Sequence, residues 1–283
     1  MPRTVFITGC SSGIGRAAAI RFARHGFQTV ATSRKTDSLR SLAEIAERER
    51  LHLRTTVCDV TDEASIQHAL AFARDAYGRV DVLVNNAGYG AMGALEVVSL
   101  EEARKQFEVN VFGAARLIQL TVPEMRTAGW GRIINVSSIA GRIVVPLGAW
   151  YSASKFGMEA LADSMRLELE PFGIYCVSVL PGPVKSDFLK NISVAEVPAE
   201  MPKLYRLLTE KLKERREKRA FEVGADRVAE IILRAAQARR PKAKYVITVP
   251  AKVGSVIRPF FSDRMWDRLM KVFYGMNDIY KMS

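Results

Sequence analysis

An α/β fold built around a parallel sheet is what this chain of 283 residues predicts. Three observations predict it. Residues 4–190 alternate short apolar runs with helix-like segments, the signature of repeated βαβ units. The first apolar run ends in a glycine-rich turn, and a helical pattern begins at once. Nearly half the residues (48%) are hydrophobic and a quarter (25%) charged, the balance of a soluble chain with a sizeable core. One large sheet commonly occupies this length in a single domain.

In chain order, Thr4 to Thr8 reads as the first strand. The turn that follows, Thr8-Gly9-Cys10-Ser11-Ser12-Gly13-Ile14-Gly15, leads into a helix whose face is Ile14, Ala18 and Phe22, with Gly26 as its stop. Such a turn lets a pyrophosphate approach the backbone, where exposed N–H groups and the helix dipole bind it. Gln28 to Ser33 is the second strand. After it stands Ser33-Arg34-Lys35, where a dinucleotide fold usually carries an acid for the ribose hydroxyls. Arg34 offers a planar fork of donors suited to a 2′-phosphate, which favours NADP(H) over NAD(H).

Leu53, Thr55 and Val57 alternate as a strand that ends at Cys58-Asp59-Val60. Thr61 is the expected N-cap of a helix with Ile66, Leu70, Ala73 and Tyr77 on one face and Gly78 at its end. Val80 to Val84 reads as a buried strand entering Asn85-Asn86-Ala87-Gly88. Ser99 with Glu102 forms a capping-box pattern for a helix that contains Asn110, a poor helix former that needs a reason. Arg132 to Val136 is the fifth strand and delivers Ser137-Ser138 at its carboxyl end, where open α/β sheets bind ligands. Tyr151 and Lys155, four residues apart, share one helix face, and an ammonium near a phenol favours the phenolate.

Taken together, Thr8-Gly9-x3-Gly13-Ile14-Gly15, Asn85-Asn86-Ala87-Gly88, Asn110, Ser138, Tyr151-x3-Lys155 and Pro181-Gly182 resemble the short-chain dehydrogenase/reductase family in identity, order and spacing. The resemblance covers about the first 190 residues. It implies a doubly wound Rossmann fold with a seven-stranded parallel sheet and helices on both faces. It also implies roles: Tyr151 as general acid/base, Ser138 as donor to the substrate oxygen, Lys155 lowering the tyrosine pKa and holding the nicotinamide ribose, and Asn110 positioning a water. The cofactor would lie against Gly9, Ser11, Ser12, Gly13, Ile14, Gly15, Arg34, Asp59, Val60, Asn86, Ala87, Gly88, Tyr151, Lys155, Pro181, Gly182 and Val184. Ser186 stands where the family usually has a threonine and keeps the hydroxyl. The implied activity interconverts an alcohol and its carbonyl.

Residues 184–222 read as a variable substrate loop or lid, with Leu204, Leu208 and Leu212 at helical spacing. A helix from about Asp226 to Ala238 and a last strand from Lys244 to Val249 follow. Residues 251–283 form a basic amphipathic extension in which Met265, Trp266, Leu269, Met270 and Phe273 share one side of a helix. Charge is uneven: of the net +12, residues 203–283 hold 20 of the 42 basic and nine of the 30 acidic side chains. The tail is read as a packed lid and subunit-contact layer of a homodimer or homotetramer, or as a peripheral contact with an anionic membrane. Nucleic acid is not expected, because no binding module accompanies the charge.

Tyr89, Met92, Leu95, Val144, Val145, Leu147, Trp150, Phe188 and Leu189 are apolar pocket candidates, with Ser138, Val145, Tyr151 and Phe188 at the substrate. They suggest a bulky hydrophobic alcohol or ketone. The opening Phe6 to Gly13 and the basic tail look more like the 17β-hydroxysteroid and retinol dehydrogenase branch, so a steroid, retinoid or long-chain substrate is expected. An acyl-chain ketoreductase and a non-catalytic dinucleotide sensor remain alternatives. Three scattered cysteines, no Cys/His cluster of metal-ligand spacing and no apolar run near 18 residues point to a metal-free protein of the cytoplasm, peripheral to a membrane at most.

Overall fold

The computed structural model describes residues 2–185, 192–218 and 222–282. The first half runs β1 (Thr4–Ile7), α1 (Gly13–Arg24), β2 (Gln28–Ser33), α2 (Arg40–Arg48), β3 (Leu53–Val57), α3 (Glu63–Tyr77), β4 (Val82–Asn85) and β5 (Gly90–Met92). Next come α4 (Leu100–Phe107), α5 (Gly113–Thr127), β6 (Gly131–Val136), α6 (Ala149–Leu169) and β7 (Ile174–Leu180). Then follow β8 (Val184–Lys185), β9 (Ile192–Val194), α7 (Lys203–Lys218), β10 (Val223–Gly224), α8 (Ala225–Gln237) and β11 (Lys244–Val246). The chain closes with α9 (Val249–Ile257), α10 (Asp263–Phe273) and α11 (Met276–Met282).

Seven strands pair in parallel in the order β11-β7-β6-β4-β1-β2-β3, the doubly wound arrangement with its switch point between β1 and β4. Alternate residues of each strand serve opposite layers. Val5 and Ile7 of β1 join α1, α2 and α8 in one core, while Phe6 faces α3, α5 and α6 in the other. Strands buried on both faces therefore read as unbroken apolar runs. The two edge strands are the exception, β3 keeping Arg54 exposed and β11 half-buried throughout.

Several boundaries differ from the sequence expectation for local reasons. Asp62, not Thr61, caps α3, accepting from Ala64 N at 3.0 Å; the Thr61 hydroxyl donates to Asp59 Oδ1 at 2.8 Å. The strand expected from Val80 starts at Val82, because Asp81 Oδ2 accepts from Thr4 N at 2.9 Å. The last strand stops at Val246, since Thr248 is already the N-cap of α9, with Pro250 in its first turn. Of the Ser99–Glu102 box only half forms. Ser99 Oγ accepts from Glu102 N, but the Glu102 carboxylate takes the Tyr89 hydroxyl instead of reaching back. Asn110 lies in a π-helical turn, Glu108–Phe112, between α4 and α5. Of the expected apolar side of α10, Trp266 is buried while Met265, Leu269 and Phe273 are exposed.

Candidate active site

The carboxyl ends of β1, β4, β6 and β7 gather the predicted residues at one edge of the sheet. After β1 the glycine turn is pinned from behind. Thr8 Oγ1 accepts from the backbone N of Asn86 and of Ala87, both at 3.0 Å. Asn86 Nδ2 donates to the carbonyls of Thr8 and Gly9 at 2.8 and 3.0 Å. A Cβ at Gly15 would stand 2.4 Å from both Gly9 O and Asn86 Nδ2, so only glycine lets α1 start this close. Asn86 is thus a brace for the turn, with Ala87 and Gly88 half-buried beside it.

The start of α1 fits the phosphates of a dinucleotide. Ser12, its N-cap, makes no side-chain capping bond, and the first turn contains no acid, so the N–H groups of that turn are left without a side-chain cap or a neighbouring carboxylate of their own helix. Ser11 is exposed and Gly13 and Ile14 are half-buried. Arg34 is exposed just past the end of β2, and Ser33 Oγ braces the same turn by donating to Lys35 O at 2.8 Å. Asp59 and Val60 follow β3. The Asp59 carboxylate is tied to Thr61, and Val60 is buried against Gly113, whose Cβ would fall 2.2 Å from Val60 O. Pro181 is buried, Gly182 lies against Thr248, and Val184 in β8 pairs with Val223. Ser186, Phe188 and Leu189 lie outside the described residues.

Ser138, extended at the end of β6, caps a short turn through Ala140 N at 3.1 Å, and its side chain hydrogen-bonds the Tyr151 phenol. Tyr151 and Lys155 are both buried on the same face of α6. Lys155 Nζ lies 5.9 Å from the Tyr151 ring centroid and donates to Val136 O at 3.2 Å. Burial pulls the Lys155 ammonium down to about 8, opposed by the Glu159 carboxylate one turn further on. The phenol itself is shifted upward rather than downward. Its burial outweighs the Ser138 hydrogen bond, while the ammonium is engaged by a backbone carbonyl.

Asn110 is also buried, and all its side-chain bonds are internal. Oδ1 accepts from Tyr89 N at 2.9 Å, while Nδ2 donates to Tyr89 O at 2.8 Å and to Ser154 Oγ at 3.0 Å. Ser154 in turn donates to Tyr151 O at 2.8 Å. The asparagine therefore clamps the loop after β4 to the turn of α6 that bears the phenol.

The apolar pocket is only partly as expected. A cavity of about 510 Å³ beside the start of α6 is lined by Ala94, Leu95, Leu147, Ala149 and, from α7, Tyr205, with the Glu96 carboxylate also on its wall. It adjoins Tyr151 in sequence, but Ser138, Tyr151 and Lys155 do not line it. Val145 is half-buried against Gly148, and Val144 is exposed. Trp150 turns away onto Phe107, ring to ring at 6.5 Å, and Tyr89 turns to Glu102. Met92 is drawn into β5, which pairs with β9.

Some members of the site are absent from the sequence reading. Glu159 is buried 3.1 Å from Lys244 Nζ, and Lys244 also meets Asp163 at 2.8 Å. Its position four residues past Lys155 was the available signal. Tyr205 and the buried Thr248 carry no local signal, because tertiary packing alone brings them in. Among the described residues no group of His, Cys, Asp and Glu could hold a metal, and no helix is long and apolar enough to cross a membrane.

Comparison with known proteins bears on the fold and the family. A family model described as short chain dehydrogenase matches residues 3–196. An uncharacterized oxidoreductase of Bacillus subtilis is 34% identical, covering 95% of this chain and 97% of that protein. Retinol dehydrogenase 8 of Bos taurus is 41% identical over 71% of this chain and 66% of its own length. The 17-beta-hydroxysteroid dehydrogenase type 1 of Homo sapiens is 35% identical, over 88% and 78%. Among solved structures, a short-chain dehydrogenase from Streptomyces avermitilis superposes with a TM-score of 0.84 at 28% identity, covering 97% and 98%. A short chain dehydrogenase/reductase from Burkholderia phymatum in complex with NAD gives 0.78 at 26%, covering 90% and 92%. An actinorhodin polyketide ketoreductase variant with NADPH gives 0.72 at 26%, covering 87% and 95%.

Proposed function

The chain belongs to the short-chain dehydrogenase family, hydroxysteroid and retinol dehydrogenase-like branch, and we propose that it is an NADP(H)-dependent oxidoreductase of hydrophobic alcohols and their ketones or aldehydes. The observation that carries the reading is the half-buried Ser138 hydrogen-bonded to the buried Tyr151, with Lys155 buried on the same helix face. A bound nicotinamide dinucleotide supplies or accepts the hydride. The rest falls to the chain. Ser138 and Tyr151 direct hydroxyls at the substrate oxygen, where negative charge develops during reduction. Tyr151 gives that oxygen its proton, or takes it in the reverse direction. Lys155, charged below about pH 8, places a positive charge beside the phenol and would hold the ribose of the cofactor. Asn110 positions the loop after β4 against α6.

The upward shift of the phenol keeps it protonated at neutral pH, which suits a proton donor and hence carbonyl reduction. Gly9, Ser11, Ser12, Gly13, Ile14 and Gly15 would hold the pyrophosphate, Asp59 and Val60 the adenine, and Pro181, Gly182, Val184 and Ser186 the nicotinamide side. Arg34 favours NADP(H), with no acid beside it at the end of β2. The mostly apolar cavity, which Tyr205 of α7 helps to line, and the two mammalian relatives support a steroid, retinoid or long-chain substrate. Phe156 and Leu167, exposed on α6, support assembly into a homodimer or homotetramer.

Loss of NADPH absorbance against steroid, retinoid and long-chain carbonyls tests the reading. Tyr151→Phe is expected to lower turnover by about 10² to 10⁴-fold while NADPH still binds; near-normal turnover would refute the assignment. Arg34→Ala is expected to weaken NADPH by about tenfold or more, the worth of a charged hydrogen bond, and to leave NADH unchanged. Equal effects on both cofactors would remove the NADP(H) preference.

A further inference from the structure

The surface of α9 and α10 has no part in the proposed redox chemistry, yet it is the most exposed apolar face among the described residues. On α9, Val249, Val253 and Val256 recur at i, i+4 and i+7 and are 70%, 52% and 64% exposed, while Ala251 is buried on the opposite side. Phe260 continues the row and is 81% exposed. On α10, Met265, Leu269 and Val272 repeat the same spacing in the open, and Trp266 packs inward against Phe261 at 6.0 Å. Arg264, Arg268 and Lys271 run beside that stripe, each one residue before its apolar neighbour, and Lys252 borders the stripe on α9. Of the exposed acids on α10, Asp263 is paired with Arg258, and Asp267 is outnumbered by the three cations. A monomer in water gains nothing from two consecutive helices that are packed on one side and apolar on the other.

This face borders the site. Gly254 of α9 lies against Ile143, in the loop between Ser138 and Tyr151, and Thr248 before α9 lies against Gly182. Leu208 and Leu212 of α7 and Tyr274 and Met276 near α11 close around Pro146 and Leu147 of the same loop.

We propose that α9 and α10 dock this protein on the surface of an anionic phospholipid bilayer. The valine, phenylalanine, methionine and leucine stripes enter the acyl boundary and the arginine and lysine row meets the headgroups. Charge complementarity selects this occupant. A second copy pairing through the same patch would set the cation rows against each other, within a tail that holds 20 basic and nine acidic side chains. The docking is independent of the redox chemistry; its use, delivery of a lipid-like substrate to the cavity beside Leu147, rests on the proposed function.

The test is co-sedimentation of the full chain with vesicles of phosphatidylcholine alone or with about a third phosphatidylserine, at about 20 mM and about 0.5 M salt. Binding to the anionic vesicles at low salt, weakened at high salt, is expected. Val256→Glu with Phe260→Glu, and separately Arg264→Glu with Arg268→Glu, are expected to reduce partitioning by about tenfold or more. All four positions are exposed or half-exposed, and unchanged NADPH affinity and melting temperature verify folding. Absent binding at low salt, equal binding to both vesicle types, or binding untouched by the variants overturns the proposal. So does a dimer in sedimentation equilibrium that Phe260→Glu abolishes. Intact vesicle binding with no turnover of any carbonyl would count against the redox reading alone.

Discussion

A buried ammonium keeps its charge only if something near it favours that charge. Lys155 sits next to the Tyr151 ring and is drawn down to about 8 by burial; Glu159, one turn along α6, pulls the other way. Glu159 is itself buried and answered by Lys244, which bridges to Asp163. Cys176 also faces this cluster, and Arg166 is tied to Asp163. Removing the carboxylate with Glu159→Gln takes away the influence that raises the Lys155 pKa. The ammonium should then lose its proton at lower pH, and the alkaline limb of the pH–rate profile should move downward. A merely structural glutamate would lower the melting temperature and leave the limb in place. In stability terms the sign is fixed: the unfolded chain holds the Lys155 proton up to its ordinary pKa, so this group's contribution rises as pH climbs from about 8 toward that value. Ser138, Tyr151 and Lys155 were legible in the sequence because four-residue spacing and a strand end fix where they point. The direction of the phenol shift was not, since it depends on how much water the folded cleft excludes.

Elements position these groups through details that propensity does not encode. Asn110 marks itself as odd in a helical pattern, but the pattern cannot say that the backbone opens into a π turn there. The turn faces the asparagine to the Tyr89 backbone and to Ser154, tying α6 to the loop after β4. Helix α3 is a simpler case. Thr61-Asp62-Glu63 offers two side chains that can cap, and the choice falls to Asp62 because Asp59 engages the threonine. Asp62→Ala is therefore expected to lower unfolding free energy by about 0.5–2 kcal/mol, the usual worth of an N-cap. Thr61→Ala should do less, because its hydroxyl serves an exposed turn. Urea denaturation of both variants decides; a larger loss at Thr61 would reverse the assignment. The Gly9 and Gly15 positions were readable in advance, whereas Asn86 as the brace that makes them necessary was not, since it lies some 70 residues away in sequence and meets the turn only through the β1–β4 pairing.

The whole molecule is two cores divided by one sheet, and this division has a measurable consequence. Repeated apolar runs with intervening helices made the sheet legible, but not the small pairs β5–β9 and β8–β10, which join segments with no local pattern between them. Cys10 lies in the core under α1 and α8; Cys58 and Cys176 lie in the core under α3 and α6. Burial pushes all three thiols up to about 12, so almost no thiolate forms at neutral pH and the native chain should resist alkylation. Each central strand feeds both layers, as Val5 and Ile7 against Phe6 do in β1. Losing one layer strips the sheet that supports the other. Alkylation in increasing urea, followed by intact mass, is therefore expected to show chains with no label or three and few with one or two. If Cys10 labels well before Cys58 and Cys176, the α1–α8 layer opens by itself. The start of α1, with the glycine turn and its place for phosphates, would then belong to a separately melting unit, and NADPH should protect Cys10 selectively.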